Sequence, residues 1–149
     1  MRAVLTRVKS ASVTRTGTGE ILGAIDKGFL VLLGVHIEDT EKEADKIADK
    51  ICGLRIFEDE NGKMNIRPAD AGAEILIVSQ FTLWADCRSR RPGFTAAARP
   101  DTAIPLYERV VARCREAGFT VATGEFGADM QVTSQNDGPV TIILDTREL

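Results

Sequence analysis

Phe29-Leu30-Val31-Leu32-Leu33, followed by Gly34, is an unbroken apolar run about as long as one strand. A half-exposed strand alternates apolar and polar residues, whereas a strand buried on both faces does not, so this run predicts a central, buried strand. Ile75-Leu76-Ile77-Val78 has the same character and predicts a second buried strand. The more polar segment Ser79-Gln80-Phe81-Thr82 comes directly after it, at its C-terminal end.

A long alternating segment precedes the first buried run. Its apolar positions begin at Val4 and Val8 and change phase at Ala11 and Val13, which indicates a long strand with a bulge. Thr16-Gly17-Thr18-Gly19 follows, and its composition predicts the turn of a hairpin. The N-terminal part of the chain is therefore expected to be β-structure.

A helix is predicted after the first buried run. Thr40 and Glu43 have the spacing of a capping box, in which each side chain bonds a backbone N–H near the other residue. Apolar residues then fall on one face before Gly53, at Ala44, Ile47, Ala48 and Ile51. The cluster Asp59-Glu60-Asn61-Gly62 separates two short runs and predicts a hairpin turn.

The C-terminal part predicts one more helix and three strands. Apolar residues spaced by four predict the helix from about residue 102 to 117, with Pro105 tolerated in its first turn. The strands are expected around residues 120–122, 130–134 and 140–144. A strand-rich chain with two main helices predicts a single α+β domain over residues 1–149, with the helices packed outside a β-barrel-like sheet.

The composition is that of a folded globular protein, with 44% hydrophobic and 28% charged residues. Lys and Arg number 19 against 22 Asp and Glu, a net charge of -3, which argues against broad electrostatic wrapping of a nucleic acid and leaves a small, local RNA contact possible. Thr6 and Arg7 interrupt the N-terminal apolar residues, which argues against a signal peptide. With no stretch of membrane-spanning length, we expect a cytoplasmic protein without a membrane partner.

Conventional catalytic groups are scarce. His36 is the only histidine, and no nucleophile-elbow motif accompanies it, so we interpret it as a structural or surface imidazole rather than a general base. One histidine and the scattered cysteines Cys52, Cys87 and Cys114 do not make the usual ligand set of a metal. We therefore expect neither a metal site nor a cofactor.

One segment is densely basic. It contains Arg88, Arg90 and Arg91, with Arg99 nearby, in a proline-containing stretch that predicts a loop. Most charge runs are solvated surface, but a concentrated arginine loop in an acidic protein is also where a phosphate would bind, because guanidinium groups match phosphate oxygens. Both interpretations stay open on the sequence.

Two polar segments at strand ends remain, Ser79-Gln80-Phe81-Thr82-Leu83 and Asn136-Asp137-Gly138-Pro139-Val140-Thr141. Each by itself has the composition of a turn. Together they resemble the signature motifs Ser-Gln-Phe-Thr-Leu and Asn-x-Gly-Pro-x-Thr of the D-aminoacyl-tRNA deacylase family. The likeness covers essentially the whole chain and includes Leu5-Thr6-Arg7-Val8, Asn61-Gly62-Lys63-Met64-Asn65, Arg91-Pro92 and Phe126-Gly127-Ala128-Asp129-Met130-Gln131-Val132.

The resemblance implies a cytoplasmic homodimer of β-barrel-like subunits that cleaves the ester between a D-amino acid and the 3' end of tRNA, and that also accepts glycyl-tRNA. Gly138 and Pro139 would be the Gly-cisPro element that reaches into the pocket of the partner subunit. Arg7 matches the residue that helps to hold this element across the interface. Phe126 and Met130 match positions that line an adenosine pocket, although ordinary core packing would explain their spacing equally well.

This element would select the substrate through its backbone. Glycine and a cis X-Pro bond would present carbonyl oxygens in a fixed direction toward the α-ammonium, so that an L side chain points into the backbone and a D side chain into open space. Ser79, Gln80, Phe81 and Thr82 would then build the pocket floor and an oxyanion-stabilising turn, with the ribose hydroxyl helping to organise the attacking water. Thr82 as a covalent nucleophile is the alternative, but the sequence offers no base to activate it.

Two rival functions remain. A sister branch of the family edits misacylated threonyl-tRNA that carries the wrong L-residue, but its pattern is Pro-Gln-Ala-Thr-Leu, from which Ser79 and Phe81 depart. A non-catalytic RNA-binding module that uses the arginine-rich segment would bind the ends of tRNA without turnover.

Overall fold

The computed structural model describes residues 1–149 and contains a six-stranded sheet, a two-stranded sheet, two α-helices and one short 3-10 helix. The strands are β1 (Arg2–Arg15), β2 (Ile21–Ile25), β3 (Gly28–Gly34), β4 (Phe57–Glu58), β5 (Met64–Ile66), β6 (Glu74–Ser79), β7 (Val121–Thr123) and β8 (Met130–Asp145). The helices are α1 (Glu41–Gly53), the 3-10 helix (Phe81–Trp84) and α2 (Pro100–Glu116). No helix has both the length and the hydropathy that a membrane crossing requires.

The large sheet has the strand order β2-β1-β3-β6-β7, and β8 also pairs with β1. The predicted central strand is confirmed, because β3 lies between an antiparallel β1 and a parallel β6. The sheet curves until its two ends approach one another: a Cβ atom on Gly23 of β2 would lie 2.5 Å from the carbonyl oxygen of Thr123 in β7. Only a residue without a side chain fits there, and the sheet is nearly closed into a barrel.

The central strands β3 and β6 are buried on both faces of the sheet. Phe29, Val31 and Ile77 belong to a cluster of 26 buried residues between the sheet and the two α-helices. Leu30 and Leu76, their neighbours along the strands, belong to a second cluster of 7 buried residues on the opposite face. Burial on alternate sides explains the unbroken apolar runs in the sequence. The predicted α+β fold, with helices outside a barrel-like sheet, is confirmed.

Helix α1 begins as its sequence predicts. The Thr40 hydroxyl accepts a hydrogen bond from the Lys42 N–H at 3.3 Å, and a Glu43 carboxylate oxygen accepts one from the Thr40 N–H at 2.7 Å. These bonds satisfy backbone donors that have no partner within the helix. The hydrogen bonds from Thr40 also lower the pKa of the Glu43 carboxyl, because they favour its charged form.

Helix α2 begins earlier than the sequence indicated. It starts at Pro100, with the extended Arg99 as its N-cap, so Pro105 lies in the second turn and the prediction of a first-turn position was wrong. A proline fits the first helical position because that residue needs no N–H donor, which lets Pro100 start the helix. Pro105 leaves the Asp101 carbonyl without its helical donor, but both residues are exposed and water can bond there.

Strand β8 is one element, where the sequence indicated two. It runs without interruption through Gly138-Pro139 and pairs with β1 along almost its full length. Because Thr6 pairs with Thr141 while Val8 pairs with Asn136, residues 137–140 form a bulge opposite Arg7 alone. The prediction of two strands was wrong because the intervening segment has the composition of a turn but stays within the strand as a bulge.

Candidate active site

The first predicted segment lies where a buried strand reaches the end of the sheet. Ser79 is the last residue of β6 and pairs with Leu33 of β3. The Gln80 N–H then donates to the Leu33 carbonyl at 2.8 Å, and the chain turns into the 3-10 helix. Ser79 and Gln80 are half-buried, whereas Phe81 and Thr82 are exposed. The segment therefore forms an accessible turn on a rigid base.

The Thr82 hydroxyl has no base beside it. Its only side-chain partner is the Gln80 amide, whose Nε2 donates to the Thr82 Oγ1 at 2.5 Å. His36 packs against the ring of Trp84 at 4.4 Å, and its Nδ1 accepts from the Glu38 N–H at 3.1 Å. The interpretation of His36 as a structural imidazole agrees with these contacts, and no side chain is placed to take a proton from Thr82.

The end of the 3-10 helix is held by Trp84. Its Nε1 donates to the Gly34 carbonyl at 3.0 Å, and the guanidinium of Arg2 stacks over its ring at 4.0 Å. Arg2 also donates through Nη1 to the Leu83 carbonyl at 2.9 Å. These contacts fix the turn against β1 and β3, so its backbone N–H groups point in a defined direction.

A buried carboxylate supports this arrangement. Asp145 accepts hydrogen bonds from Arg147 and from the Nε of Arg2, the latter at 3.0 Å. The two guanidinium groups hold the pKa of the Asp145 carboxyl well below its usual range, so it stays ionised. An ionised Asp145 keeps Arg2 in place over Trp84.

Phe126 lines a cleft at the same end of the sheet. The cleft has a volume of about 570 Å³ and is lined by Ile104, Tyr107, Glu108, Val111, Ala112, Arg115, Glu116, Thr123, Gly124 and Phe126. Thr123 pairs with Ile77 in parallel strands, so the cleft lies near Ser79, which is two residues further along β6. The Tyr107 hydroxyl donates to the Ile77 carbonyl at 2.7 Å, and burial raises the pKa of Tyr107 to about 12.

Met130 lies behind the cleft and does not line it. Its sulfur accepts a hydrogen bond from the Glu125 N–H at 3.5 Å, and its side chain packs against the second core cluster. Phe126 also packs partly on the main core, with its ring 6.3 Å from that of Tyr107. The structure therefore places Phe126 on the cleft wall and Met130 in a supporting position.

The second predicted segment is the bulge in β8. The peptide bond between Gly138 and Pro139 is cis, and both residues are exposed. Arg7, only 3% exposed, donates through Nε to the Asp137 carbonyl at 3.3 Å and through Nη1 to the Ile56 carbonyl at 2.9 Å. Arg7 therefore holds the base of this segment by bonds within its own chain.

The two predicted segments do not meet within one chain. Ser79 pairs with Leu33, and Leu33 pairs with Ala3 of β1, whereas the bulge lies opposite Arg7. Arg7 is four residues beyond Ala3, a distance of roughly 13 Å along an extended strand. The chain thus carries an accessible turn beside an aromatic cleft and, well away from it, an exposed Gly138-Pro139 segment.

Three contributors to these sites were not singled out from the sequence. Asp137 anchors the bulge to Arg7, Tyr107 lines the cleft, and Phe94 packs edge-on against Phe81 with ring centroids 5.2 Å apart. Each contacts a residue distant in the chain, so local sequence patterns do not indicate its role. Only Asp137 could have been found from the sequence, because it lies inside the Asn-x-Gly-Pro-x-Thr segment.

Comparison with known proteins assigns the chain to a family. The family model described as D-Tyr-tRNA(Tyr) deacylase matches residues 4–145. The D-aminoacyl-tRNA deacylase of Thermus aquaticus is 58% identical over 149 residues, covering 99% of this chain and 97% of the relative, and that of Brevibacillus brevis is 56% identical, covering 98% and 100%.

Two solved structures share the fold. One, described as c-Myc DNA Unwinding Element Binding Protein, superposes with a TM-score of 0.90 at 44% identity and covers 97% of this chain and 98% of its own. The other, described as a probable eukaryotic D-amino acid tRNA deacylase, has a TM-score of 0.83 at 16% identity, covers 96% and 97%, and supports the fold alone. With the family model and the relatives spanning nearly its full length, the chain belongs to the D-Tyr-tRNA(Tyr) deacylase family.

Proposed function

We propose that this enzyme acts as a homodimer and hydrolyses the ester between a D-amino acid, or glycine, and the terminal ribose of tRNA, releasing free tRNA and the amino acid. Membership of the deacylase family makes the chain an aminoacyl-tRNA hydrolase. The observation that carries the finer proposal is the placement of its two signature segments, which are both exposed and are held apart within one chain.

The proposed chemistry uses backbone donors rather than a side-chain base. Water attacks the ester carbonyl, the bond to the ribose oxygen breaks, and that oxygen leaves with a proton. The first N–H groups of a helix lack partners within it, so those of Phe81 and Thr82 would stabilise the oxyanion. The adjacent ribose hydroxyl would organise the water, which agrees with the absence of a base beside Thr82.

The cleft beside this turn would take the terminal adenosine. The ring of Phe126 offers a stacking surface at its wall, and the cleft opens at the end of the sheet where Ser79 lies. Stacking on an aromatic ring is the usual way in which proteins hold an unpaired base. Met130 would support the wall from behind rather than touch the base.

A second subunit would complete the pocket. Gly138-Pro139 is too far from Ser79 to act on the same ester within one chain, so it would enter the pocket of a partner. Strand β8 offers the surface for this pairing: it lies at the edge of the sheet, most of its residues are exposed, and Ile143 is 73% exposed. Arg7 holds the base of the Gly138-Pro139 segment (here the reaching segment) by hydrogen bonds within its own chain. Its proposed contact across the interface would add to those bonds.

The chirality filter would be the backbone of Gly138 and Pro139. Their carbonyl oxygens would accept hydrogen bonds from the α-ammonium of the substrate, which fixes the direction of the substituent on Cα. An L side chain of the substrate would then collide with the Gly138 backbone, whereas a D side chain would point to open space. A glycyl substrate has no side chain and would also be accepted. L-aminoacyl-tRNA is thus rejected by a clash.

The test is a deacylation assay with purified protein and three substrates, D-tyrosyl-tRNA, L-tyrosyl-tRNA and glycyl-tRNA. We expect hydrolysis of the D-tyrosyl and glycyl esters, with the L-tyrosyl ester no less stable than in buffer alone. Binding of tRNA without hydrolysis would instead identify a non-catalytic RNA-binding module. Preferential hydrolysis of an L-ester would favour the sister branch that edits misacylated threonyl-tRNA.

A further inference from the structure

A closed loop follows the 3-10 helix of the candidate site. Asp86 and Gly93 exchange two backbone hydrogen bonds, of 2.7 and 2.9 Å, and the residues between them project from the surface. This segment, residues 86–93, is called here the arginine loop because it exposes Arg88, Arg90 and Arg91. The bonds at its base fix its position even though its side chains are solvated.

The three arginines differ in their partners. Arg88 forms an ion pair with Asp86, with Nη2 and Oδ2 2.5 Å apart, and the hydrogen bonds from Arg88 lower the pKa of Asp86 to about 2. Arg88 is therefore neutralised within the loop. Arg90 and Arg91 take part in no ion pair, and neither guanidinium donates a hydrogen bond within the protein.

Arg90 and Arg91 are consecutive in the sequence, and the chain as a whole has a net charge of -3. Neither guanidinium contributes an ion pair or a hydrogen bond to the fold, so both are free to bind a ligand. Guanidinium groups present several donors in one plane and bind phosphate oxygens in pairs, which an exposed lysine does less well. Arg90 and Arg91 thus fit an external, multiply charged phosphate ligand.

The loop is fastened to the candidate active site. It begins two residues after Trp84, and Phe94, directly after it, packs against Phe81 with ring centroids 5.2 Å apart. The base of the arginine loop therefore lies beside the turn that would meet the aminoacyl ester. A ligand held there would lie next to the reacting end of the substrate.

Resting on the proposed function, we propose that Arg90 and Arg91 bind the phosphodiester backbone of the tRNA acceptor arm while its aminoacylated end occupies the pocket. Phosphate contacts position a nucleic acid without reading its sequence, which suits an enzyme that must accept tRNAs of different identity.

The test compares two double variants of the full-length protein. Arg90→Ala/Arg91→Ala removes the two free cations, and Lys42→Ala/Lys50→Ala removes two exposed, unpaired cations from α1 as a matched control. Each variant is assayed with D-tyrosyl-tRNA over a range of salt concentrations and with the D-tyrosyl ester of adenosine, which carries no phosphate. Binding of uncharged tRNA is measured in parallel.

For the arginine variant we expect the Kd for uncharged tRNA and the KM for D-tyrosyl-tRNA to rise about tenfold at low salt, because two charge-assisted phosphate contacts are lost. The slope of log Kd against log salt should shrink by about 1.4 to 1.8, the change expected for two phosphates. Hydrolysis of the adenosine ester should stay at the wild-type rate. The lysine variant should match wild type in every measurement.

The proposal would be overturned if the two variants had the same Kd for tRNA and the same salt slope. It would also be overturned if the arginine variant lost as much activity on the adenosine ester as on D-tyrosyl-tRNA, because the loop would then act only as a support for Phe81. Failure of the proposed function would give a different result, since wild-type protein would hydrolyse neither D-tyrosyl-tRNA nor the D-tyrosyl ester of adenosine. In that case the binding of uncharged tRNA still decides the role of Arg90 and Arg91.

Discussion

Among single residues, Thr82 separates two mechanisms. Its hydroxyl is exposed and bonded only to the Gln80 amide, so nothing in its surroundings makes it a nucleophile. We expect Thr82→Ala to keep measurable turnover, with kcat for D-tyrosyl-tRNA falling no more than roughly tenfold, and Thr82→Ser to match wild type. Complete loss of turnover in Thr82→Ala, with tRNA binding intact, would favour Thr82 as a covalent nucleophile.

Gly138 tests the proposed filter. Its φ is +133°, and an added Cβ would lie 2.5 Å from the Val140 backbone nitrogen and 2.8 Å from the Val140 Cγ2, so Gly138→Ala must displace the backbone of the bulge. We expect kcat/KM for D-tyrosyl-tRNA and glycyl-tRNA to fall at least about tenfold, because even a shift of about 1 Å in a positioning group is costly.

The control for this variant is Gly17→Ala, in a hairpin turn where φ is also positive, +89°, but where a Cβ meets no atom within 4 Å. It also places an L-residue at positive φ, but without crowding, and its kinetics should equal those of wild type. Circular dichroism would verify that both variants are folded. Unchanged kinetics of Gly138→Ala in a folded protein would contradict the backbone filter.

Among the elements, the 3-10 helix carries the proposed oxyanion donors. Phe81 is its first residue, a position at which proline fits a helix, so Phe81→Pro should remove one N–H with little change in the turn. Phe81→Ala removes the same aromatic ring but keeps the N–H. We expect kcat to be roughly a hundredfold lower in Phe81→Pro than in Phe81→Ala, the usual effect of losing one oxyanion donor. Equal kcat values would place the oxyanion elsewhere.

The elements also show which parts of the fold were predictable. The buried strands and the cap at Thr40 follow from local signals, an apolar run and a capping-box spacing, and both are confirmed. The start of α2 was misplaced because Pro100 can begin a helix as well as end a loop. Strand β8 was divided because its bulge is fixed by pairing with β1, more than a hundred residues away in sequence.

For the molecule as a unit, the site is harder to predict than the fold. Its two signature segments were found through a family resemblance, since each alone has the composition of a turn. Their supports are long-range contacts, such as that of Arg7 with Asp137 and that of Phe81 with Phe94, which leave no periodic signal in the sequence. Because these segments lie apart within one chain, the proposed mechanism requires a second copy of the chain to complete the pocket.

Mixed dimers test that requirement directly. Phe81→Pro damages the pocket and Gly138→Ala damages the reaching segment, so each variant alone should have little activity. A heterodimer of the two contains one pocket with an intact Phe81 that receives an intact Gly138-Pro139 from its partner. Co-expression should therefore restore activity toward D-tyrosyl-tRNA to about one quarter of the wild-type level, since about half of randomly assorted dimers are mixed and each has one complete site. Separately purified variants that cannot exchange subunits should show no recovery on mixing. If co-expressed variants isolated as heterodimers by two affinity tags also stay inactive, the Gly138-Pro139 segment acts within its own chain.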